Sequence, residues 1–300
     1  MKILVVGSIN IDQVIELKRF PNVGETYTGK SLNYYSGGKG ANQAVALSKL
    51  GCNVSMLGKV GNDSHGNQGI EMLNKYHVGT EKVLRDPLSS TGLASIYVTD
   101  KGNNEIVLVP GANYKLTIKD IDDNIEFIKQ FDIVVAQFEI PIPVVKHLFK
   151  ITKQNNIMSV LNPAPAQYMD DDFLKSIDFI IPNETELKIL SKSQFAFNET
   201  DIKKSINFLL DKGVKNVIVT CGEKGVYYAD HNGFKHIDAK KVTPVDTTAA
   251  GDSFIAGFIS QLINTQSFIK CIEYGIKAAS ITITRKGAQE SMPTFDEIKE

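Results

Sequence analysis

The segment Ile3-Leu4-Val5-Val6-Gly7-Ser8-Ile9-Asn10-Ile11-Asp12 decides the fold class. Four consecutive apolar residues closed by a glycine read as a strand buried on both faces, the pattern of a parallel sheet covered by helices. Ser8, Asn10 and Asp12 follow, just beyond the carboxyl end of that strand, where ligands of parallel sheets gather. Asn10 and Asp12 are two residues apart, so on extended chain they point the same way. The same pair also suits a turn.

Working outward, apolar runs of the same kind recur at Val54–Lys59, Ile133–Gln137, Met158–Leu161, Phe179–Ile181 and Val217–Thr220. Helical periodicity fills much of the chain between them: Ala41–Leu50, Asp63–Tyr76, Val144–Gln154, Glu184–Ser191, Asp201–Lys212, Ala249–Asn264 and Phe268–Thr284. This alternation predicts a three-layer α/β/α core with a mostly parallel sheet. Two pairs of segments depart from it. Ile11–Leu17 with Thr26–Tyr35, and Ala94–Val98 with Glu105–Val109, alternate apolar and polar residues like half-exposed antiparallel strands. They predict a small β lid, drawn from about residues 11–35 and 92–110, over one end of a single domain spanning 1–300. The lid's outer face offers a surface for a homodimer.

Composition removes several classes of function. Lys plus Arg number 33 against 34 Asp plus Glu, with no basic block, so nucleic acid is not the expected partner. Apolar runs are only strand-length, too short to span a membrane. Met1-Lys2 leads straight into the first strand rather than into a signal peptide. Cys52, Cys221 and Cys271 are odd in number, far apart and without a CxxC, the signature of free thiols in a reducing compartment. The expected location is cytoplasmic.

Asp246-Thr247-Thr248-Ala249-Ala250-Gly251-Asp252 sets two carboxylates around small residues and opens an apolar helical pattern running from Phe254 through Phe258 to Leu262 and Ile263. A helix start of small residues leaves N–H groups approachable and adds positive dipole potential, which makes an anion site. Asp252 is then placed to accept a proton from a hydroxyl near a bound phosphate. A simple cap explains the same residues. Gly37-Gly38-Lys39-Gly40-Ala41-Asn42-Gln43-Ala44 is a second glycine-rich helix start, bringing Lys39 and Asn42 as donors for hydroxyls. Asn183 and Glu186 follow a later strand and suit hydrated Mg²⁺ held through water. They also make an N-cap with its box partner. Thr220, Gly222 and Gly225 form a turn suited to lie along nucleotide phosphates. Gly24-Glu25-Thr26-Tyr27-Thr28-Gly29-Lys30-Ser31 matches GxxxxGK[ST], yet a turn precedes it and no helix can follow, so it is no phosphate cradle.

Eight segments occur in order: GSINID (7–12), GET (24–26), GGKGANQA (37–44), QFEIP (137–141), NPAPA (162–166), NETE (183–186), DTTAAGD (246–252) and TRKGAQ (284–289). Together they resemble the PfkB, or ribokinase-type, carbohydrate kinase family nearly end to end. The resemblance implies transfer of the ATP γ-phosphoryl group to the primary 5-hydroxyl of D-ribose. It implies that Asn10, Asp12, Gly38, Lys39, Asn42 and Glu139 hold the sugar, and that Asp252 is the catalytic base. Amides of Ala249, Ala250 and Gly251 would form the anion hole. Asn183, Thr220, Gly222 and Gly225 would line the ATP site, with Glu186 organising Mg²⁺. Asp246, Thr248, Arg285, Gly287 and Ser291 match a loop that binds K⁺, mainly through backbone oxygens. Apolar lid contacts would come from Ala94 and Ile96, and a homodimer through the lid is implied. The competing readings are a same-fold kinase for deoxyribose, fructose or a nucleoside, and a catalytically idle sugar-binding regulator. The dense polar set favours a small free sugar, and the intact Asp252 segment disfavours the idle regulator.

Overall fold

A computed structural model describes residues 1–193, 198–262 and 267–299. The last two residues of the expected helix Ala249–Asn264, Ile263 and Asn264, lie outside the described residues. The strands are β1 (Lys2–Val6), β2 (Asn10–Leu17), β3 (Ser31–Gly37), β4 (Asn53–Gly61), β5 (Gly79–Asp86), β6 (Gly92–Thr99) and β7 (Asn104–Val109). They continue as β8 (Ile133–Ala136), β9 (Met158–Leu161), β10 (Phe179–Ile180), β11 (Asn216–Thr220), β12 (Val226–Asp230) and β13 (Gly233–Ile237).

The main sheet has the order β13-β12-β11-β10-β9-β8-β1-β4-β5. Every neighbour pair from β11 to β5 is parallel, while β12 and β13 add an antiparallel hairpin at one edge. Successive residues of a strand face opposite sides, and β1 shows the result. Leu4 and Val6 pack with Val145, Leu148 and Phe149 of the helix Ile142–Gln154 on one side. Ile3 and Val5 pack with Leu47 of the helix Lys39–Lys49 and Phe258 of the helix Ala250–Leu262 on the other. Two cores therefore sandwich one sheet, as the alternation of patterns requires. Parallel pairing also gathers Gly7, Gln137, Asn162, Asn183 and Thr220, at or just beyond the carboxyl ends of five strands, along one end of the sheet.

The second sheet has the order β3-β2-β6-β7. β2 pairs with β6 in parallel, Asn10 opposite Gly92 through Leu17 opposite Thr99, rather than in the wholly antiparallel arrangement expected from sequence. Both strands leave the main domain from the same end, because β1 and β5 precede them and run the same way. The strand expected over Thr26–Tyr35 begins only at Ser31 and extends to Gly37. The residues before it form a turn fixed by the Arg19–Glu25 ion pair and by Arg19 stacking 4.6 Å over the Tyr27 ring. A strand, not a helix, thus follows the GxxxxGK[ST] match. Leu32, Tyr34, Tyr35 and Ile106 through Val109 leave an apolar exposed surface on this sheet. Among the described residues, no helix is long and apolar enough to cross a membrane, and all three cysteines are unpaired.

Candidate active site

The helix Lys39–Lys49 starts two residues earlier than its apolar pattern suggests, directly after Gly38 in a left-handed conformation (φ 89°). Space explains the glycines before it. A Cβ on Gly37 would lie 2.3 Å from Asp12 Oδ2, and one on Gly38 would lie 2.8 Å from the Asn10 backbone nitrogen. β2, β3 and the helix converge here only because those side chains are missing.

Glu139, one strand-end away, is the hub of the first polar cluster. Its Oε2 accepts from Ser8 Oγ (2.6 Å), from the Lys39 backbone N–H (3.0 Å) and from Asn10 Nδ2 (3.4 Å). Asn10 is oriented from behind: its Oδ1 accepts from Asn113 Nδ2 at 2.7 Å, and Asn113 itself bonds both polar groups of Ile9. Asp12 lies on the neighbouring stretch of β2, paired in register with Ala94 and Tyr35.

Asp252 lies in the first turn of the helix Ala250–Leu262 and is buried. Its Oδ1 accepts from Gln43 Nε2 at 2.9 Å and its Oδ2 from Asn42 Nδ2 at 3.3 Å. Ala249, immediately before the helix, has a positive φ of 58°, an uncommon conformation for a residue with a Cβ. The Ala250 N–H is not wholly bare, since it donates a long bond of 3.3 Å to Thr247 O.

The electrostatics join these clusters. Burial, then the charges of Glu139 and Asp252, push the Asp12 carboxyl up to about 7. Burial likewise raises Asp252, against the opposing pull of the Lys39 ammonium and the Gln43 amide. Glu186 is raised mainly by burial. Burial pulls Lys39 down, but Asp252, Glu139 and Glu186 outweigh it and leave its pKa raised. One ammonium thus sits among three carboxylates, two of which also act on Asp12.

Two cavities meet at this point. A polar one of about 200 Å³ is lined by Lys39, Asn183, Glu186, Ala249, Gly251 and Asp252, among others. A larger one of about 760 Å³ carries Gly222, Gly225, Val242, Phe254 and Ile283 on its walls. They share Thr220, Thr247, Ala250 and Gly251. Asn183 and Glu186 form a capping box: Glu186 Oε2 accepts from the Asn183 N–H at 2.9 Å and the Asn183 side chain accepts from the Glu186 N–H at 2.8 Å. Glu186 Oε1 also accepts from Asn183 Nδ2 at 3.0 Å, and both residues line the polar cavity. Asp246 and Thr248 belong to a separate tie. Asp246 Oδ1 accepts from the Thr248 N–H and hydroxyl, and Oδ2 accepts from the Gly287 N–H at 3.0 Å. Ser291 Oγ donates to Ala288 O, whereas the Arg285 guanidinium turns away to pair with Glu297.

The chain matches the model of the pfkB family of carbohydrate kinases over residues 1–295. It belongs to that family. The kinase is 38% identical over 301 residues to the ribokinase of Staphylococcus aureus, covering 100% of this chain and 99% of that one. It is 36% identical over 301 residues to the deoxyribokinase of Salmonella typhi, covering 100% and 98%. Its structure is similar to that of Arabidopsis thaliana ribokinase complexed with ribose and ATP, with a TM-score of 0.92, 31% identity and coverage of 99% and 97%.

Sequence reasoning missed the residues that hold the site rather than line it. Gln43, Gln137 and Gln289 are all buried and all wired toward Asp252 or its partners. Each stands inside a motif already singled out. Gln43 and Gln137 are glutamines on largely apolar, buried stretches, which is the signal that would have found them, whereas Gln289 sits among charged residues and gives none. Asn113 lies in the short 3₁₀ helix Gly111–Lys115, which has no distinguishing pattern.

Proposed function

We propose that this kinase transfers the γ-phosphoryl group of ATP to the primary 5-hydroxyl of D-ribose, giving D-ribose 5-phosphate and ADP. The observation that carries it is the position of Asp252 in the polar cavity with Lys39, directly after Ala250 and Gly251, which that cavity shares with the larger groove. Asn10, Asp12, Gly38, Lys39, Asn42 and Glu139 would hold the sugar hydroxyls beneath the small sheet, with Ala94 and Ile96 as apolar neighbours. Asp252 would accept the hydroxyl proton as oxygen forms its bond to the γ-phosphorus and the bond to the β-phosphate oxygen breaks. Ala249, Ala250 and Gly251 would stabilise the equatorial oxygens from their amides. Thr220, Gly222, Gly225 and Asn183 would run along the nucleotide, with its base between the apolar walls at Val242 and Ile283.

Among the described residues no group of three or more His, Cys, Asp or Glu side chains is placed to cage a metal. Glu186, a lone carboxylate facing the polar cavity, fits Mg²⁺ held through its water shell, which supplies charge neutralisation on the phosphates when bound. The Asp246 carboxylate ties Thr248 to Gly287, and the carbonyls of Asp246, Thr248, Arg285, Gly287 and Ser291 would supply the oxygens for K⁺. The exposed apolar surface at Leu32, Tyr34 and Ile106–Val109 supports a homodimer through the lid. A cytoplasmic location accords with three unpaired cysteines.

Deoxyribose is the nearest competitor, since a deoxyribokinase is among the relatives. A site built to bond a hydroxyl leaves polar groups unpaired when that hydroxyl is missing, at about 1–3 kcal/mol each. Sugar-dependent ADP release measured for ribose, deoxyribose, fructose and a nucleoside, with and without K⁺, decides the matter. The expected kcat/KM for ribose exceeds that for deoxyribose by about tenfold or more. Equal or better use of deoxyribose overturns the substrate, and no sugar-dependent ADP release indicates the idle regulator instead.

A further inference from the structure

We infer that Gln43 and Gln289 are positioning residues that hold the Asp252 carboxylate by its two oxygens through two separate chains of buried amides. The inference rests on Asp252 being the base. The first chain runs Gln137 Nε2 to Gln43 Oε1 at 2.6 Å, then Gln43 Nε2 to Asp252 Oδ1 at 2.9 Å. The second runs Gln289 Nε2 to Asn42 Oδ1 at 3.2 Å, then Asn42 Nδ2 to Asp252 Oδ2 at 3.3 Å. Gln43 and Gln137 are fully buried and Gln289 is 1% exposed.

The direction of both chains follows from chemistry. An ionised carboxylate only accepts, so Gln43 and Asn42 must each turn an NH₂ toward it. Each then shows its carbonyl oxygen backward, which obliges Gln137 and Gln289 to present NH₂ groups in turn. A protonated Asp252 would put a donor against one of these donors. The arrangement therefore favours the ionised carboxylate, the form a base needs, against the burial that opposes it.

The supports are specific. Gln43 spends its second N–H on Asn162 Oδ1, at 3.3 Å, so its amide cannot turn over without loss. Gly7 makes room for Gln137, since a Cβ there would stand 2.0 Å from Gln137 Oε1. Lys49 Nζ donates to Gln289 O at 3.1 Å and anchors the C-terminal loop to the helix that carries Asn42 and Gln43. Gln137 Oε1 and Gln289 Oε1 have no hydrogen-bond partner, so each chain ends there. The second chain also connects the base to the loop tied to Asp246 through Gly287. The charged groups around Asp252 are Lys39, Glu139, Glu186 and Asp12, from four other elements.

The test is steady-state kinetics from pH 5 to 9 on Gln43→Met and Gln289→Met, each alone and combined with Asp252→Asn. A hydrogen bond to a charged group corresponds to about a tenfold to hundredfold fall in kcat. Its loss also moves the acid-side half-activity point up by roughly one pH unit. KM for ribose should hold within about threefold in Gln43→Met, since that side chain is sealed from the cavity. In the Asp252→Asn background neither substitution should lower the residual rate further. A protein with only a structural need for these glutamines would lose thermal stability and keep the acid limb where it was. The inference is overturned if Gln43→Met keeps both kcat and the acid limb, or if its fold-loss persists without Asp252. Near-normal turnover in Asp252→Asn alone removes the base itself, and the inference with it. Should Gln43→Met fail to fold, Gln289→Met applies the same criteria to the other oxygen.

Discussion

Asp12→Asn should make the ligand-free protein more stable and a poorer kinase, and the gain in stability should grow with pH. Burial raises the Asp12 carboxyl from an ordinary 3.8 to about 7, with Glu139 and Asp252 adding to the rise. Below pH 3.8 the folded and unfolded chains are both protonated there, and the residue's contribution is at its most favourable. Between 3.8 and 7 the unfolded chain has lost the proton while the folded chain keeps it, so stability falls as pH rises. At about 1.36 kcal/mol per pH unit the whole fall is roughly 4 kcal/mol. An asparagine carries no such penalty. Urea denaturation of the two ligand-free proteins should place Asp12→Asn ahead by about 2 kcal/mol at pH 5 and about 4 kcal/mol at pH 8. Ribose should bind the variant more weakly at pH 8, because an ionised carboxylate accepts hydroxyl hydrogen bonds that an amide only half replaces. A stability difference that stays constant from pH 5 to pH 8 would refute the reasoning, since only a titrating group gives a slope.

Asp252→Asn should lower kcat by about 10²–10⁴-fold while ribose binding, read by calorimetry, stays within a few-fold; turnover near wild type would dismiss the base. Gly38→Ala forces a side chain into φ 89° and against the Asn10 nitrogen, and should cost about 1–3 kcal/mol with a raised KM for ribose, checked by thermal melting and kinetics. Phe258→Ala empties a fully buried site where the helix Ala250–Leu262 packs on the sheet against Phe179, and should cost about 3–5 kcal/mol in urea denaturation.

The core was legible because burial on both faces leaves a strand no choice but to be apolar throughout. Ile3–Val6 and Ile133–Ala136 announce themselves for that reason. β5, which reads Gly79-Thr80-Glu81-Lys82-Val83-Leu84-Arg85-Asp86, gave no such signal: it is the sheet's edge and is only half buried, so polar residues are tolerated along it. The hairpin β12–β13 escaped for the same reason, its outer strand being largely exposed. The residues brought to Asp252 were legible as chemistry and not as geometry. Asn42 and Gln43 lie 210 and 209 positions from Asp252, and Gln289 lies 247 from Asn42, so no local pattern links them. Asn183 and Glu186 read equally well as a cap and as part of a phosphate site, and the cap is now visible as a two-way hydrogen-bonded box. The box engages both Glu186 oxygens with Asn183, yet each carboxylate oxygen keeps a further lone pair and the residue lines the polar cavity.

Charge balance sets the order in which such a site can be filled. Glu139, Glu186 and Asp252 surround the ammonium of Lys39, and Asp12 feels two of these carboxylates, so the empty cleft is acidic, and less so while Asp12 keeps its proton. A polyphosphate entering that cleft gains from the helix start at Ala250 but meets like charge at Glu186 and Asp252. Mutual repulsion of this kind is removed only by cations arriving with the phosphate or by hydroxyl donors engaging the carboxylates. On the proposed function, a sugar with several hydroxyls would do the second on the lid side, bonding Asp12 and Glu139 and spreading their charge. Sugar and metal-bound nucleotide should therefore each favour the other's binding, a reciprocal coupling that equilibrium titration of one in the presence of the other measures directly. Equal ribose affinity with and without a non-hydrolysable nucleotide and Mg²⁺ would show that the acidic cluster does not link the two halves of the cleft.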